Sequence, residues 1–135
     1  MLTTTKCMRS GGERRLTLKN SPSKDNPKLV RALKDGKAPL EYLVYSVMEG
    51  DAAVHKLGAD KYGIRNWRVD NILASTYEGA ILRHFKAWAE GEDLDPESGY
   101  SHLYHIRACC AILLDSEEKG TLIDNRIRTE SKDQG

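Results

Sequence analysis

The sequence predicts an all-α protein, a compact helical bundle of three long helices plus one short helix. Three observations carry that expectation. Apolar residues recur at i, i+3, i+4 and i+7 over three long stretches, the spacing of a one-sided helix. Asn26-Pro27 and Asp95-Pro96 read as helix starts, with an oxygen-bearing cap followed by a proline that has no N–H to lose. In the first 26 residues only Arg15-Leu16-Thr17-Leu18-Lys19 alternates like a strand, and it is short.

A chain of 135 residues makes one small domain. Charged residues are 30% of it and the mean hydropathy is −0.58, so a soluble chain with a thin core is expected. Few helices in this length bury little area, and a homo-oligomer, a dimer or tetramer whose copies share a core, is the natural remedy. No apolar run approaches the roughly 20 residues of a membrane span. Met1-Leu2-Thr3-Thr4-Thr5-Lys6 lacks the apolar stretch of a secretory signal, which points to the cytoplasm. Cys7, Cys109 and Cys110 form no Cys-x-x-Cys spacing, so buried free thiols are expected rather than a zinc site.

Residues 1–40 hold ten Lys/Arg against three Asp/Glu, and the remainder is net acidic. Residues 1–26, rich in Thr, Ser, Gly and Asn, read as an irregular basic arm. Residues 27–118 read as the helical domain and 119–135 as a polar tail. A short helix runs from Lys28 to Leu33 and stops at Asp35-Gly36. Pro39 then opens a longer one, with Leu40, Leu43, Val44, Val47 and Met48 on one face and Val54 and Leu57 extending it past Gly50. Gly58 to Gly63 closes that helix, and residues 63–71 form a loop carrying Arg65, Asn66, Trp67 and Arg68. A planar ring beside guanidinium groups suits a base and its phosphates; a core tryptophan with surface arginines is the other reading.

Residues 72–90 give the clearest helix, with Leu73, Tyr77, Ala80, Ile81, His84, Phe85 and Trp88 on its apolar face. His84 lies inside that face, as either a hydrogen-bonded core residue or a ligand. Glu78 lies one position off it. The helix runs into an acidic turn holding Glu90, Glu92, Asp93, Asp95 and Glu97. Crowded carboxylates resist ionising together unless a cation stands among them. Asp95 and Glu97 also suit the positive end of a following helix dipole, a reason Glu92 and Asp93 lack. The last helix runs to about Glu118, with Leu103, Ile106, Cys110, Leu113 and Leu114 as its stripe, and His102 and His105 as neighbours three apart. Lys119-Gly120 ends it.

An antiparallel hairpin of the last two helices puts the acidic turn, His84 and His102 toward one end. Oxygen ligands of high negative charge suit Mg²⁺ or Mn²⁺, with two or more ions per site a familiar arrangement for handling phosphates. Lys61, Arg65 and Arg83 are placed to neutralise phosphate charge. The residues thus suggest a nucleotide pyrophosphatase.

The same residues carry a resemblance. Gly58-Ala59-x-Lys61-Tyr62-Gly63, Asn66-Trp67-Arg68, Ala80-x-x-Arg83-His84 and Gly91-Glu92-x-x-Asp95-x-Glu97-Ser98-Gly99-x-x-His102-Leu103-x-His105 occur in order. Together they resemble the phage and bacterial dATP/dGTP diphosphohydrolase domain of the MazG-like, all-α NTP pyrophosphohydrolases, over about residues 39–115. The resemblance implies hydrolysis of a purine (deoxy)nucleoside triphosphate to the monophosphate and pyrophosphate with Mg²⁺ or Mn²⁺. In one branch the substrate is a guanine nucleotide, giving dGMP for 2-aminoadenine synthesis in phages. It also implies carboxylate ligands in Glu-x-x-Glu and Glu-x-x-Asp pairs on facing helices. Here Glu92-x-x-Asp95 fits, and it stands in a turn. The expected metal and catalytic residues are Glu92, Asp95 and Glu97, with His84 and His102 orienting them and Glu78 and Glu41 as outside candidates. Lys61, Asn66, Trp67, Arg68, Arg83 and His102 are expected to bind substrate. A helical module binding nucleic acid through the basic arm is the competing reading, weakened by the scatter of that arm's charges among chain breakers. An HD-type phosphohydrolase lacks the His-Asp dipeptide it needs.

Overall fold

In the computed structural model the described residues are 26–129. The basic arm, with its Arg15–Lys19 stretch and Cys7, falls outside them except at Asn26, as do residues 130–135. The chain divides into two compact units, Met1–Tyr42 and Leu43–Gly135.

In the first unit, α1 spans Pro27–Lys34. The Asn26 side chain accepts the N–H groups of Lys28 and Leu29, satisfying two donors that a helix start leaves unpaired. A single 3₁₀ turn, Leu40–Tyr42, follows. The longer helix expected from Pro39 therefore does not begin there. Leu40 is 65% exposed, so the periodicity reaches further than the packing that would hold it as helix.

In the second unit, α2 spans Tyr45–Tyr62 and passes through Gly50 without a break. The Tyr104 ring occupies the space a Cβ at Gly50 would take, so glycine serves close packing there. Gly63, at φ +94°, turns the chain out of the helix. Arg65 follows in the left-handed region at φ 52°, and a 3₁₀ turn carries Asn66–Arg68. Then come β1 (Ile72–Leu73), α3 (Ala74–Ala89), α4 (His102–Lys119) and β2 (Leu122–Ile123). The two strands pair in parallel, Ile72 opposite Leu122 and Leu73 opposite Ile123. The stretch after Gly120 thus holds a strand that sequence periodicity did not foresee, because two residues are too few to display a period. Asn125, just beyond it, accepts the Ser75 N–H at 2.9 Å and donates to Ser75 Oγ at 2.7 Å. The start of α3, whose own cap residue Leu73 has no polar side chain, is capped from 50 residues away.

The last helix starts later than Asp95-Pro96 suggests. Asp95 Oδ2 does accept the Ser98 N–H, but Gly99 at φ +75° ends that turn. The chain reopens as helix at His102, with Ser101 as cap, and stops at Gly120 in the left-handed region. Helices α3 and α4 pack antiparallel: His84 meets His102 and His105 at one end, while Glu78 and Ile81 face Leu113 and Glu117 toward the other.

The inward face of α4 is rotated from the expected stripe. His102, Ala108 and Ser116 are buried, whereas Leu103 is 41% and Leu114 67% exposed. Small residues let the helices approach closely, and the larger apolar side chains are left outside. Phe85 and Trp88 on α3 stay largely open as well. Cys110 is exposed and Cys109 half-buried, so among the described residues the expected burial of the thiols holds in part for Cys109 and fails for Cys110.

Candidate functional site

The acidic turn folds back on the α3–α4 hairpin through backbone bonds. Asp95 N–H donates to the Tyr100 carbonyl at 2.8 Å and His102 N–H to the Asp93 carbonyl at 3.2 Å. These bonds fix three side chains, Glu92, Asp95 and Ser98, against the imidazoles of α4. His84 Nδ1 and His102 Nδ1 stand 2.8 Å apart. On its other side His102 Nε2 meets Glu92 Oε1 at 2.8 Å. The His105 ring stacks on His84 with centroids 4.6 Å apart and planes 5° from parallel. Its Nε2 bonds Ser98 Oγ at 2.7 Å and lies 3.5 Å from Asp95 Oδ2. One donor atom each from His84, Asp95 and His102 fall within 4.8 Å of one another, a group that could hold a metal ion.

The electrostatics follow from burial and neighbours. Burial, then the charge of His105, holds the His84 imidazole below its ordinary pKa. Burial also lowers His105, against the opposing pull of Asp95. At Asp95 burial pushes the carboxyl up, but hydrogen bonds from Ser98 and the charges of His105 and His84 outweigh it and leave it below the usual value. At neutral pH His84 and His105 are therefore neutral rings beside the Asp95 carboxylate.

A cavity of about 270 Å³ opens beside the cluster, with His84, Asp95, Glu97, His105, Lys61 and Trp67 among its lining. Lys61 Nζ lies 2.6 Å from Glu97 Oε1 at the exposed mouth. Asn66 and Tyr77 also face it, and burial raises the Tyr77 hydroxyl pKa. The loop carrying Trp67 is fastened to α4. Trp67 Nε1–H donates to Asp115 Oδ2 at 2.7 Å, and the Arg68 guanidinium grips the same carboxylate through Nε and Nη2. Arg68 and then Trp67 hold Asp115 well below the usual carboxylate range.

The structure thus gathers Glu92, Asp95, Glu97, His84, His102, Lys61, Asn66 and Trp67 in one region, but in different relations from those expected. Glu92 stands behind His102, and Glu97 is tied to Lys61. Arg68 is matched by Asp115, and Arg83 folds over Gly79 on its own helix. Glu78 lies six residues before His84, about 9 Å along the helix, and lines a second cavity. Glu41 belongs to the first unit. Sequence reasoning passed over Ser98 and Asp115 and gave His105 no role. The spacing of His102 and His105 pointed to His105; nothing local pointed to Asp115, which is 48 residues from Trp67.

An antiparallel helical hairpin with a partly buried imidazole–carboxylate cluster beside a cavity that carries a lysine and an indole is suited to a helical enzyme acting on phosphorylated nucleotides. The model of the family dATP/dGTP diphosphohydrolase, N-terminal, matches residues 28–126, most of the chain. The chain belongs to that family, and so is a nucleotide pyrophosphohydrolase, a hydrolase acting on phosphoric anhydrides. No curated protein and no solved structure matches it. No helix of the described residues is long and apolar enough to cross a membrane.

Proposed function

We propose that the chain hydrolyses a purine deoxynucleoside triphosphate, dGTP before dATP, to the monophosphate and pyrophosphate with a divalent ion. The observation that carries this is the convergence of His84, Asp95 and His102 beside a cavity lined by Lys61 and Trp67. An ion held by those three would supply positive charge next to the triphosphate. Lys61 adds a second positive charge at the mouth, where an incoming phosphate competes with Glu97 for it. The Trp67 indole, held by its N–H on Asp115, offers a ring on which a purine stacks. His105, neutral at pH 7 and bonded to Ser98, is the base on the cavity wall that takes a proton from the attacking water.

The uncovered apolar side chains of α3 and α4 support a homodimer or homotetramer, and a cytoplasmic setting follows from the substrate. In a phage the reaction would supply dGMP for 2-aminoadenine synthesis. The test is the set of common ribo- and deoxyribonucleoside triphosphates, each with Mn²⁺ or Mg²⁺, assayed for pyrophosphate. Release of pyrophosphate fastest from dGTP is expected. Full activity in EDTA, or orthophosphate as the product, overturns the reading.

A further inference from the structure

We infer that His84, Asp95 and His102 form a two-imidazole, one-carboxylate site that selects a nitrogen-preferring transition ion such as Co²⁺ or Zn²⁺ over Mg²⁺, with Glu92 positioning His102 instead of binding the ion. The inference rests on the hydrolase reading only for what the ion does there.

The donor set comes first. A Mg²⁺ site is built from oxygens and retained waters, whereas imidazole nitrogen favours ions later in the first transition row. Two of the three converging groups here are imidazoles. The spacing comes second. With metal–nitrogen bonds of about 2.1 Å, adjacent ligand atoms lie about 3.0 Å apart in an octahedron and about 3.4 Å apart in a tetrahedron. The two Nδ1 atoms stand 2.8 Å apart, so a small rotation of either ring admits an ion. His102 is 3% exposed and sits on the first turn of α4, so its nitrogen cannot swing out to water.

Glu92 supplies the third argument. A carboxylate at 2.8 Å from His102 Nε2 keeps the proton on that nitrogen and leaves Nδ1 with its lone pair facing His84. This is the carboxylate–histidine arrangement that orients metal-bound imidazoles. The acid that the sequence offers as the foremost ligand thus stands one residue behind the ion. Asp95, only 16% exposed and fixed by Ser98, is the carboxylate that faces it.

The experiment uses the full chain stripped with EDTA, without nucleotide, titrated with Co²⁺ and followed by its visible absorption and by calorimetry. One Co²⁺ site per chain, bound at least about 100-fold more tightly than Mg²⁺, is expected. His84→Ala and Asp95→Asn should each weaken Co²⁺ by at least about 10-fold. Glu92→Ala should weaken it by about 10- to 100-fold, while Glu92→Gln, which keeps an acceptor for Nε2–H, should stay within about 3-fold of the parent. Far-UV circular dichroism excludes variants that fail to fold, and His84→Gln replaces His84→Ala if the latter does. Displacement of Co²⁺ by equimolar Mg²⁺, or parental Co²⁺ binding in the His84 and Asp95 variants, overturns the site. A loss in Glu92→Gln as large as in His84→Ala overturns the positioning role. Because no turnover is measured, tight Co²⁺ binding in a chain that leaves dGTP intact would sink the hydrolase reading and spare this one.

Discussion

The molecule carries two cavities of nearly equal size, about 270 and 260 Å³, on the same helical hairpin. Both contain carboxylates and a cation. In the first, Asp95 and Glu97 meet Lys61 and two neutral imidazoles. In the second, Glu78 and Glu117 stand over Ala74, Ile81, Leu82 and Leu113, and the nearby Arg126 is bound bidentately to Asp124. Volume and acidity therefore do not separate them. What separates them is convergence. Backbone bonds from the acidic turn aim donor atoms at one point in the first cavity, and no such group forms in the second among the described residues. Glu78 and Glu117 face each other across the second cavity, but among the described residues no third donor comes close enough to complete such a group.

The comparison breaks most readily by activity. Asp95→Asn or His84→Ala should lower pyrophosphate release by at least about 100-fold, whereas Glu78→Gln should stay within about 3-fold of the parent. An equal loss in Glu78→Gln, measured as kcat/KM on dGTP, would move the site to the second cavity. Next in size is Asp115→Ala, which unfastens Trp67 and Arg68 from α4. It should raise KM by several-fold, with a smaller change in kcat, and lower Tm. A KM unchanged while Tm falls would make the clamp purely structural.

The imidazoles give the first cavity a pH signature that the second lacks. Burial lowers the folded pKa of His84 and His105 below the ordinary 6.5. The unfolded chain therefore binds more protons between the lowered values and 6.5, and stability rises with pH across that window. Tm of the metal-free protein should fall as pH drops from 7 toward 5, and His105→Gln should flatten the fall. A pH-independent Tm would remove the buried neutral rings from the account. The smallest expected effect lies at the second cavity's end of the hairpin, where Asn125→Ala removes the cap of α3. It should cost about 1 kcal/mol by denaturant unfolding and leave metal binding unchanged.

Much of this was legible in the chain itself. Asn26 before Pro27, Gly63 and Gly120 set helix ends by local chemistry, and the structure keeps all three. Helical periodicity placed α3 and α4, and the acidic turn with its flanking histidines lies, as expected from the hairpin, at one of its ends. Asp95-Pro96 misled because the same Asx bond that starts a helix also closes a turn, and Gly99 decides between them.

Local pattern determines which residues are helical and which stretch is chemically dense, since both depend on neighbours within a turn or two. It does not determine which face of α4 turns inward, because small Ala108 and Ser116 win by letting helices approach, not by hydrophobicity. Nor does it assign Glu92 behind His102, Asp115 beneath Trp67, or Asn125 over Ser75. Those pairings join residues 10, 48 and 50 positions apart, and only the folded chain brings them within hydrogen-bond reach.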